Sequence, residues 1–229
     1  MTWSVSSVRN ALATVALAGT AISVPAFAQN DSPFSITGSV TFTSDYRWRG
    51  MTQTDEHAAV QGELNLRHNS GLYVGAWGSN VDYNDPDLHL ELDTYIGFAR
   101  KSAAINYDVG IIYYQYPGSS DSNYWELYGD FSKDLGLAIL QGGVQWTNDF
   151  DGADIDQYYY YGGVQVPVGP VGLYGQVGHT DFEGSGDWTH WQLGAAATLA
   201  GLKFDLSYHD VDRSAVGDSA VVFSVKKSF

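Results

Sequence analysis

The segment from residue 34 to residue 49, FSITGSVTFTSDYRWR, alternates between two kinds of side chain along its whole length. The even positions, from Phe34 to Trp48, are mostly apolar, and the odd positions, from Ser35 to Arg49, are polar or charged. Only a β-strand has a side-chain period of two, so the segment predicts an extended strand with one apolar and one wet face. Such a strand suits a soluble sandwich or a membrane barrel.

The N-terminal 28 residues favour the membrane barrel, because they have the three parts of a secretory signal. Arg9 is a short basic region, residues 11–24 are apolar, and residues 26–28 form a small-x-small cleavage site. We therefore expect cleavage after Ala28 and export of residues 29–229. No other run approaches the roughly 20 apolar residues that a spanning helix needs.

The alternation returns along the chain and predicts about twelve strands joined by hairpins. After the first strand they cover residues 60–67, 72–81, 88–98, 105–115, 124–133, 137–147, 157–166, 171–180, 189–199, 202–210 and 219–229. In the strand 72–81, apolar residues compete for both faces, and its faces stay unassigned. Short turns alternate with longer acidic loops, as at the two rims of an outer-membrane barrel. The predicted fold is a transmembrane, antiparallel, up-and-down β-barrel over residues 29–229.

Composition agrees with this fold and excludes several kinds of site. Aromatic residues make up 14% of the chain, which suits the aromatic bands of a barrel in a membrane. The chain has no cysteine, so disulfides and zinc-thiolate sites are excluded. No phosphate-binding glycine motif is present, and the acidic balance argues against nucleic acid. We predict no cofactor.

The C-terminal strand carries a further signal, because Val221, Phe223, Val225 and the terminal Phe229 share one face. The arrangement resembles the terminal strand by which outer-membrane barrels are recognised for assembly, although Lys227 stands where an aromatic residue is usual. We therefore expect the barrel assembly machinery to be a partner through Phe229.

Four segments resemble a known family: SDYRWRG at 44–50, GAWGSNV at 75–81, ELDTYIG at 91–97 and YWELYG at 124–129. They are similar to the TorF family of proteobacterial outer-membrane β-barrel proteins, and SDYRWRG is the most specific of them. The resemblance implies an outer-membrane barrel with a pore-like role in a Gram-negative bacterium.

Most of the charged residues fall into two groups, those of the long loops and those of the inward strand faces. The formal net charge is -15, and most of the acidic excess falls in the long loops, which also suits contact with cation-bridged lipopolysaccharide. The inward faces carry charges of both signs that we predict to line the lumen: Asp45, Arg47, Glu63, Arg67, Glu91, Asp93, Asp108, Glu126, Asp130, Lys203 and Asp205. These residues predict a diffusion channel for small hydrophilic solutes or ions that prefers cations.

Two alternatives stay open at this point. Twelve strands fall between a barrel filled by side chains and one with a clear channel, so a plugged structural or adhesive barrel is the first alternative. The second is a lipid-modifying barrel enzyme, but no His-x-Ser pair occurs, and Ser207-Tyr208-His209 has the reversed order. A weak metal site at His190 and His209 is conceivable, yet we predict no catalytic or metal-binding residue. A homo-oligomer is also possible.

Overall fold

The computed structural model describes residues 32–83, 85, 87–184, 186–213 and 217–229. The predicted signal peptide lies outside the described residues. The strands are β1 Phe34–Thr43, β2 Arg47–Trp48, β3 Met51–Thr52, β4 Ala59–His68, β5 Leu72–Asn80, β6 Leu90–Arg100, β7 Asn106–Gln115, β8 Tyr124–Asp134, β9 Ile139–Thr147, β10 Gln157–Val168, β11 Val171–Phe182, β12 Trp188–Leu199, β13 Leu202–Val211 and β14 Ala220–Ser228. Two single-turn 3-10 helices lie at Ser120–Ser122 and Phe150–Gly152. Among the described residues, no helix is long and apolar enough to cross a membrane.

Twelve of these strands form one closed antiparallel barrel, which confirms the predicted fold and strand number. Each barrel strand pairs with its neighbour in the chain, and β1 closes the barrel by pairing with β14. The closure continues past the last strand, where Gly38 and Phe229 exchange two backbone hydrogen bonds of 2.9 Å. Strands β2 and β3 pair only with each other, in a separate hairpin.

The connections define two different rims, as the sequence predicts. At the short-turn rim the barrel strands are joined by residues 69–71, 101–105, 135–138, 169–170 and 200–201. At the long-loop rim they are joined by residues 44–58, 81–89, 116–123, 148–156, 183–187 and 212–219, although 183–187 is no longer than 101–105.

The outer face of the barrel is apolar, with aromatic residues near both rims. Large aliphatic side chains such as Val40, which is 50% exposed, cover its middle. The aromatic side chains near the long-loop rim include Tyr113, Trp125, Trp146 and Tyr158, and those near the short-turn rim include Phe34, Phe98, Tyr107, Phe131 and Phe229. The arrangement is that of a barrel whose outside meets lipid and whose inside is polar.

The faces of β5, which the sequence leaves open, follow from burial. Tyr73 and Ser79 are buried on the inner face, whereas Leu72 and Val74 are exposed on the outer face. An aromatic ring with a hydroxyl can face a polar lumen because the hydroxyl finds a partner there. The tyrosines of this chain are therefore found on both faces, and hydrophobicity alone does not assign them.

Two predictions about strand faces are wrong. The first strand ends at Thr43 rather than Arg49, and Trp48, which the alternation places against lipid, is 9% exposed inside the barrel. The chain leaves the wall after Thr43 and turns inward, so the alternation that continues to Arg49 belongs to another element. Leu88 precedes β6 instead of beginning it and packs against the inner cluster of Tyr114 and Tyr116.

Inward tyrosines lie over glycines of adjacent strands. A Cβ atom built on Gly97 would stand 2.5 Å from the Tyr73 hydroxyl and 2.7 Å from that of Tyr128. Any side chain at Gly97 would therefore displace two rings from the lumen wall. In contrast, a Cβ atom on Gly62 would meet nothing within 4 Å.

We predict that Gly97→Ala lowers the free energy of unfolding by about 1–3 kcal/mol, because it overpacks the wall. Urea unfolding of the refolded barrel in detergent measures this difference. Gly62→Ala is the matched control, since it adds the same methyl group to a strand with free space. An equal loss of stability in both variants would contradict the packing described here.

Candidate functional site

The connection from β1 to β4 folds into the barrel, and its centre is the hairpin of β2 and β3, here called the inserted hairpin (residues 47–52). Arg49 and Gly50 form its two-residue turn with φ of 49° and 88°. Two positive φ angles are typical of a type I′ turn, which favours Asn or Gly. An arginine there costs about 1–2 kcal/mol, so contacts elsewhere must hold Arg49 in place.

Those contacts come from the opposite wall of the barrel. The Arg49 guanidinium donates to Oε1 of Gln157 and to Oε1 of Glu126, both at 2.6 Å, and also to Gln145. It lies 4.1 Å from the ring centroid of Trp48 and 4.3 Å from that of Tyr159. The three hydrogen-bond partners belong to β8, β9 and β10, so one side chain fixes the turn against three adjacent strands.

Aromatic residues at the long-loop rim hold the same turn from another side, through one hydrogen bond and through apolar packing. The indole Nε1 of Trp188 donates to the Arg49 carbonyl oxygen at 2.9 Å. Trp48 packs with Trp188 and Val211 in a buried cluster, and Phe150 stacks on Trp48 with the ring centroids 6.1 Å apart. The inserted hairpin is thus the centre of an aromatic core inside the barrel.

The base of the hairpin is ordered around one carboxylate. Asp45 accepts hydrogen bonds from Thr52 Oγ1 at 2.7 Å and Thr54 Oγ1 at 3.2 Å, and it pairs with Arg47 Nε at 2.5 Å. Next to it, the Tyr46 hydroxyl donates to Oε1 of Glu91 at 3.3 Å. Burial raises the pKa of Tyr46 well above its usual value, and Glu91 adds to the effect, so the phenol remains a donor.

A cavity of about 640 Å³ lies inside the barrel, between the inserted hairpin and the short-turn rim. The predicted lumen residues that line it are Asp45, Arg47, Glu63, Asp93, Asp108, Asp130, Lys203 and Asp205. The other three face inward but make contacts outside its lining. Glu126 pairs with Arg49, Glu91 accepts from Tyr46, and the Arg67 guanidinium lies 4.5 Å from the ring centroid of Tyr73.

Several cavity carboxylates have a tyrosine hydroxyl as donor. Three such bonds join Tyr73 to Asp108 at 2.5 Å, Tyr161 to Asp130 at 2.8 Å and Tyr174 to Asp205 at 2.7 Å. A hydrogen bond to a carboxylate stabilises its charge without cancelling it. The cavity wall therefore keeps a negative character.

The alternation places Arg49 on the wet face but Trp48 on the apolar face, and the predicted lumen residues do not include Arg49 or the amides Gln145 and Gln157. The sequence does contain a local signal for the hairpin, because the Arg-Gly pair between Trp48 and Met51 has the X-Gly form of a two-residue hairpin turn. The destination of that hairpin depends on contacts with residues about 100 positions later in the chain.

The histidines of β12 and β13 do not assemble a metal centre. His190 Nε2 is 3.0 Å from the Tyr159 hydroxyl, and His209 Nε2 is 2.9 Å from Ser207 Oγ. In the register of the two strands, His209 stands opposite Gln192 rather than His190. Within the part of the chain that the structure describes, no group of three His, Cys, Asp or Glu side chains is placed to ligate a metal.

Fold and lumen together define a class of protein: a closed twelve-stranded barrel with a polar lumen that contains a hairpin from its first long loop. The model of the family described as "Bacterial protein of unknown function (Gcw_chp)" matches residues 27–229, and the chain belongs to that family. The TorF name is not part of this match and stays a prediction. No curated protein matches the chain in sequence.

Solved porin structures are similar to the barrel. The KdgM porin has a TM-score of 0.59 at 9% identity, over 84% of this chain and 99% of that one. The KdgM porin in complex with disordered oligogalacturonate has a TM-score of 0.58 at 8% identity, over 85% and 99%. The NanC porin has a TM-score of 0.54 at 11% identity, over 84% and 98%. At these identities the similarity shows a common fold.

We predict that Arg49→Asn destabilises the protein by about 3–5 kcal/mol, because it leaves Glu126 buried without its partner. Asparagine suits the positive φ of the turn, so turn strain does not explain a loss. Urea unfolding in detergent measures the effect. Glu56→Gln is the control: this 61% exposed carboxylate pairs with Arg47 at 3.4 Å, and its loss costs at most about 1 kcal/mol. Equal effects of the two variants would contradict the role of Arg49.

Proposed function

We propose that the protein is an outer-membrane channel for passive diffusion of small hydrophilic solutes or ions, with a preference for cations. The observation that carries the proposal is the polar cavity of about 640 Å³, which reaches from the inserted hairpin to the short-turn rim. A structural barrel needs no such space, because its lumen can be filled by side chains.

Three features support the outer membrane as the location. The outer face is apolar with aromatic side chains near both rims, the fold is similar to that of solved porins, and the sequence predicts an export signal. On this proposal the acidic long loops face outward, where lipopolysaccharide is the neighbour. Phe229 is 52% exposed beyond β14, which is compatible with its proposed recognition by the assembly machinery.

Charge supports the preference for cations. The carboxylates of the lumen and hairpin are Asp45, Glu63, Glu91, Asp93, Asp108, Glu126, Asp130 and Asp205, and the basic residues are Arg47, Arg49, Arg67, Lys203 and Lys226. Eight carboxylates against five basic groups leave an excess of negative charge, which favours cations within a narrow pore. Oligogalacturonate, the molecule bound to KdgM, carries carboxylates, so we do not propose it as a solute here.

The inserted hairpin is the proposed constriction. It stands at the long-loop end of the cavity, and it is fixed there by Arg49 and by the aromatic cluster of Trp48. Solutes that enter from the long-loop side must pass it. A permanent plug would make the protein a structural barrel without transport, which is the second candidate function that this hairpin supports.

We predict that the refolded protein in a planar bilayer conducts with a reversal potential that favours cations under a salt gradient. The physical reason is the excess of carboxylates in the lumen, whose field is screened at high salt. Selectivity should therefore weaken as the salt concentration rises. A reversal potential that favours anions would contradict the charge argument while leaving a channel in place.

We predict a larger single-channel conductance for the double variant Arg49→Asn, Glu126→Gln than for the original protein. The two changes remove the ion pair without leaving a buried charge, so the hairpin keeps its aromatic contacts but is held less tightly, while the barrel wall is kept. The matched control is Glu56→Gln, which should conduct like the original protein. If correctly folded protein and the double variant are both silent, the structural barrel is the better account.

A further inference from the structure

Two carboxylates of the lumen, Glu91 and Asp93, differ from the others because each has a buried oxygen with no hydrogen-bond partner in the described part of the chain. Glu91 and Asp93 lie on the inner face of β6, two residues apart, a spacing of about 7 Å along a strand. Their exposed fractions are 1% and 2%, and Asp93 lines the cavity. Each raises the electrostatic cost of ionising the other.

Their surroundings do not neutralise them. Among the described residues, the ion pairs involve Asp45, Glu56, Glu63 and Glu126, and neither Glu91 nor Asp93 takes part in one. Glu91 Oε1 accepts the 3.3 Å bond from Tyr46, whereas Glu91 Oε2 and Asp93 Oδ1 are buried with no hydrogen-bond partner in the described part of the chain. Asp108, Asp130 and Asp205 also accept from a tyrosine, but none of the three has a buried oxygen left without a partner.

Buried carboxylates without partners are costly, and a bound cation or a proton is needed to offset the charge. We propose that Glu91 and Asp93 form a binding site for a hard divalent cation, such as Ca²⁺ or Mg²⁺, that is reached from the cavity. The two ionised carboxylates together carry two negative charges, which equal the charge of the ion in magnitude. The inference deepens the proposed function, since it names the cation that the lumen holds, and it rests on that function only for the route of entry.

The donor set fits this class of ion. Ca²⁺ and Mg²⁺ take oxygen ligands, and Mg²⁺ is often held by one or two carboxylates while water completes its shell. The nearby polar groups are oxygens as well: Tyr46 carries a hydroxyl, and Ser79 stands opposite Glu91 on β5. Thiolate ligands are absent because the chain has no cysteine. A partly hydrated ion also agrees with the lack of a third acidic or histidine ligand among the described residues.

The site also contains an optical reporter. Trp77 stands opposite Asp93 in the register of β5 and β6, and its ring lies 5.3 Å from that of Tyr46. An ion bound by the two carboxylates would therefore be close to both rings. Tb³⁺, a hard ion that takes Ca²⁺ sites and emits when a neighbouring aromatic ring is excited, can report on this position.

The test uses the refolded barrel in detergent. A calorimetric titration with Ca²⁺ at neutral pH should show one saturable binding site. The affinity should fall by at least about tenfold in Glu91→Gln, Asp93→Asn, since even changes outside the ligand shell can cost that much. Asp130→Asn is the matched control: it also neutralises a lumen carboxylate, but one that already has a tyrosine donor, so Ca²⁺ affinity should not change.

A second measurement does not depend on changing the ligands. Trp77→Phe should lower Tb³⁺ emission several-fold, because it removes the tryptophan that stands opposite Asp93, and leave the Ca²⁺ affinity unchanged. Unchanged emission in this variant would place the ion elsewhere and overturn the site.

Other results overturn the site directly. Absence of saturable Ca²⁺ binding at neutral pH would mean that protons neutralise the pair, and equal losses in Asp130→Asn would mean non-specific attraction. Conductance separates this inference from the channel proposal. A silent barrel that binds Ca²⁺ retains the site and contradicts the channel, whereas a conducting barrel without binding contradicts the site alone.

Discussion

The contact between the Arg49 guanidinium and the far wall of the barrel is the interaction on which the arrangement of the lumen depends. Placing a charge inside a barrel is unfavourable unless it is paired and hydrogen-bonded. Glu126 supplies the opposite charge, and Gln145 and Gln157 each accept one further hydrogen bond from the guanidinium. These bonds hold the turn in a conformation that disfavours arginine, so a local cost is offset by contacts made across the lumen.

The rest of the lumen keeps charge by a second device, the hydrogen bond from a phenol to a carboxylate. A tyrosine fills space like an apolar residue and still solvates a charge at its tip. The ring needs room, which the strand opposite supplies by carrying glycine, as Gly97 does for Tyr73. The wall is therefore packed near the strands and polar toward the centre, and a cavity lined by carboxylates remains between the hairpin and the short-turn rim.

Much of this architecture can be predicted from the two-residue alternation, because a strand between lipid and a polar lumen must separate its side chains by face. The strand number, the order of the connections and the inward direction of Asp108 and Asp130 follow from it. The alternation fails at Trp48, since a segment that leaves the wall keeps its pattern but changes its surroundings. It places Arg49 on the wet face but does not identify its partners, which lie in strands far along the chain.

Hydrogen exchange of the backbone amides of residues 46–54, measured on the folded barrel, tests most directly whether the first long loop resides inside the lumen. Trp48 and Met51 pair across the inserted hairpin, whose turn is buried, and just beyond it the Gln53 amide donates to the Tyr46 carbonyl oxygen at 2.7 Å. We predict that these amides exchange as slowly as those of the barrel strands. Exchange as fast as that of residues 217–219 would show a loop that lies outside the barrel, and it would contradict the inserted hairpin, its arginine and the constriction.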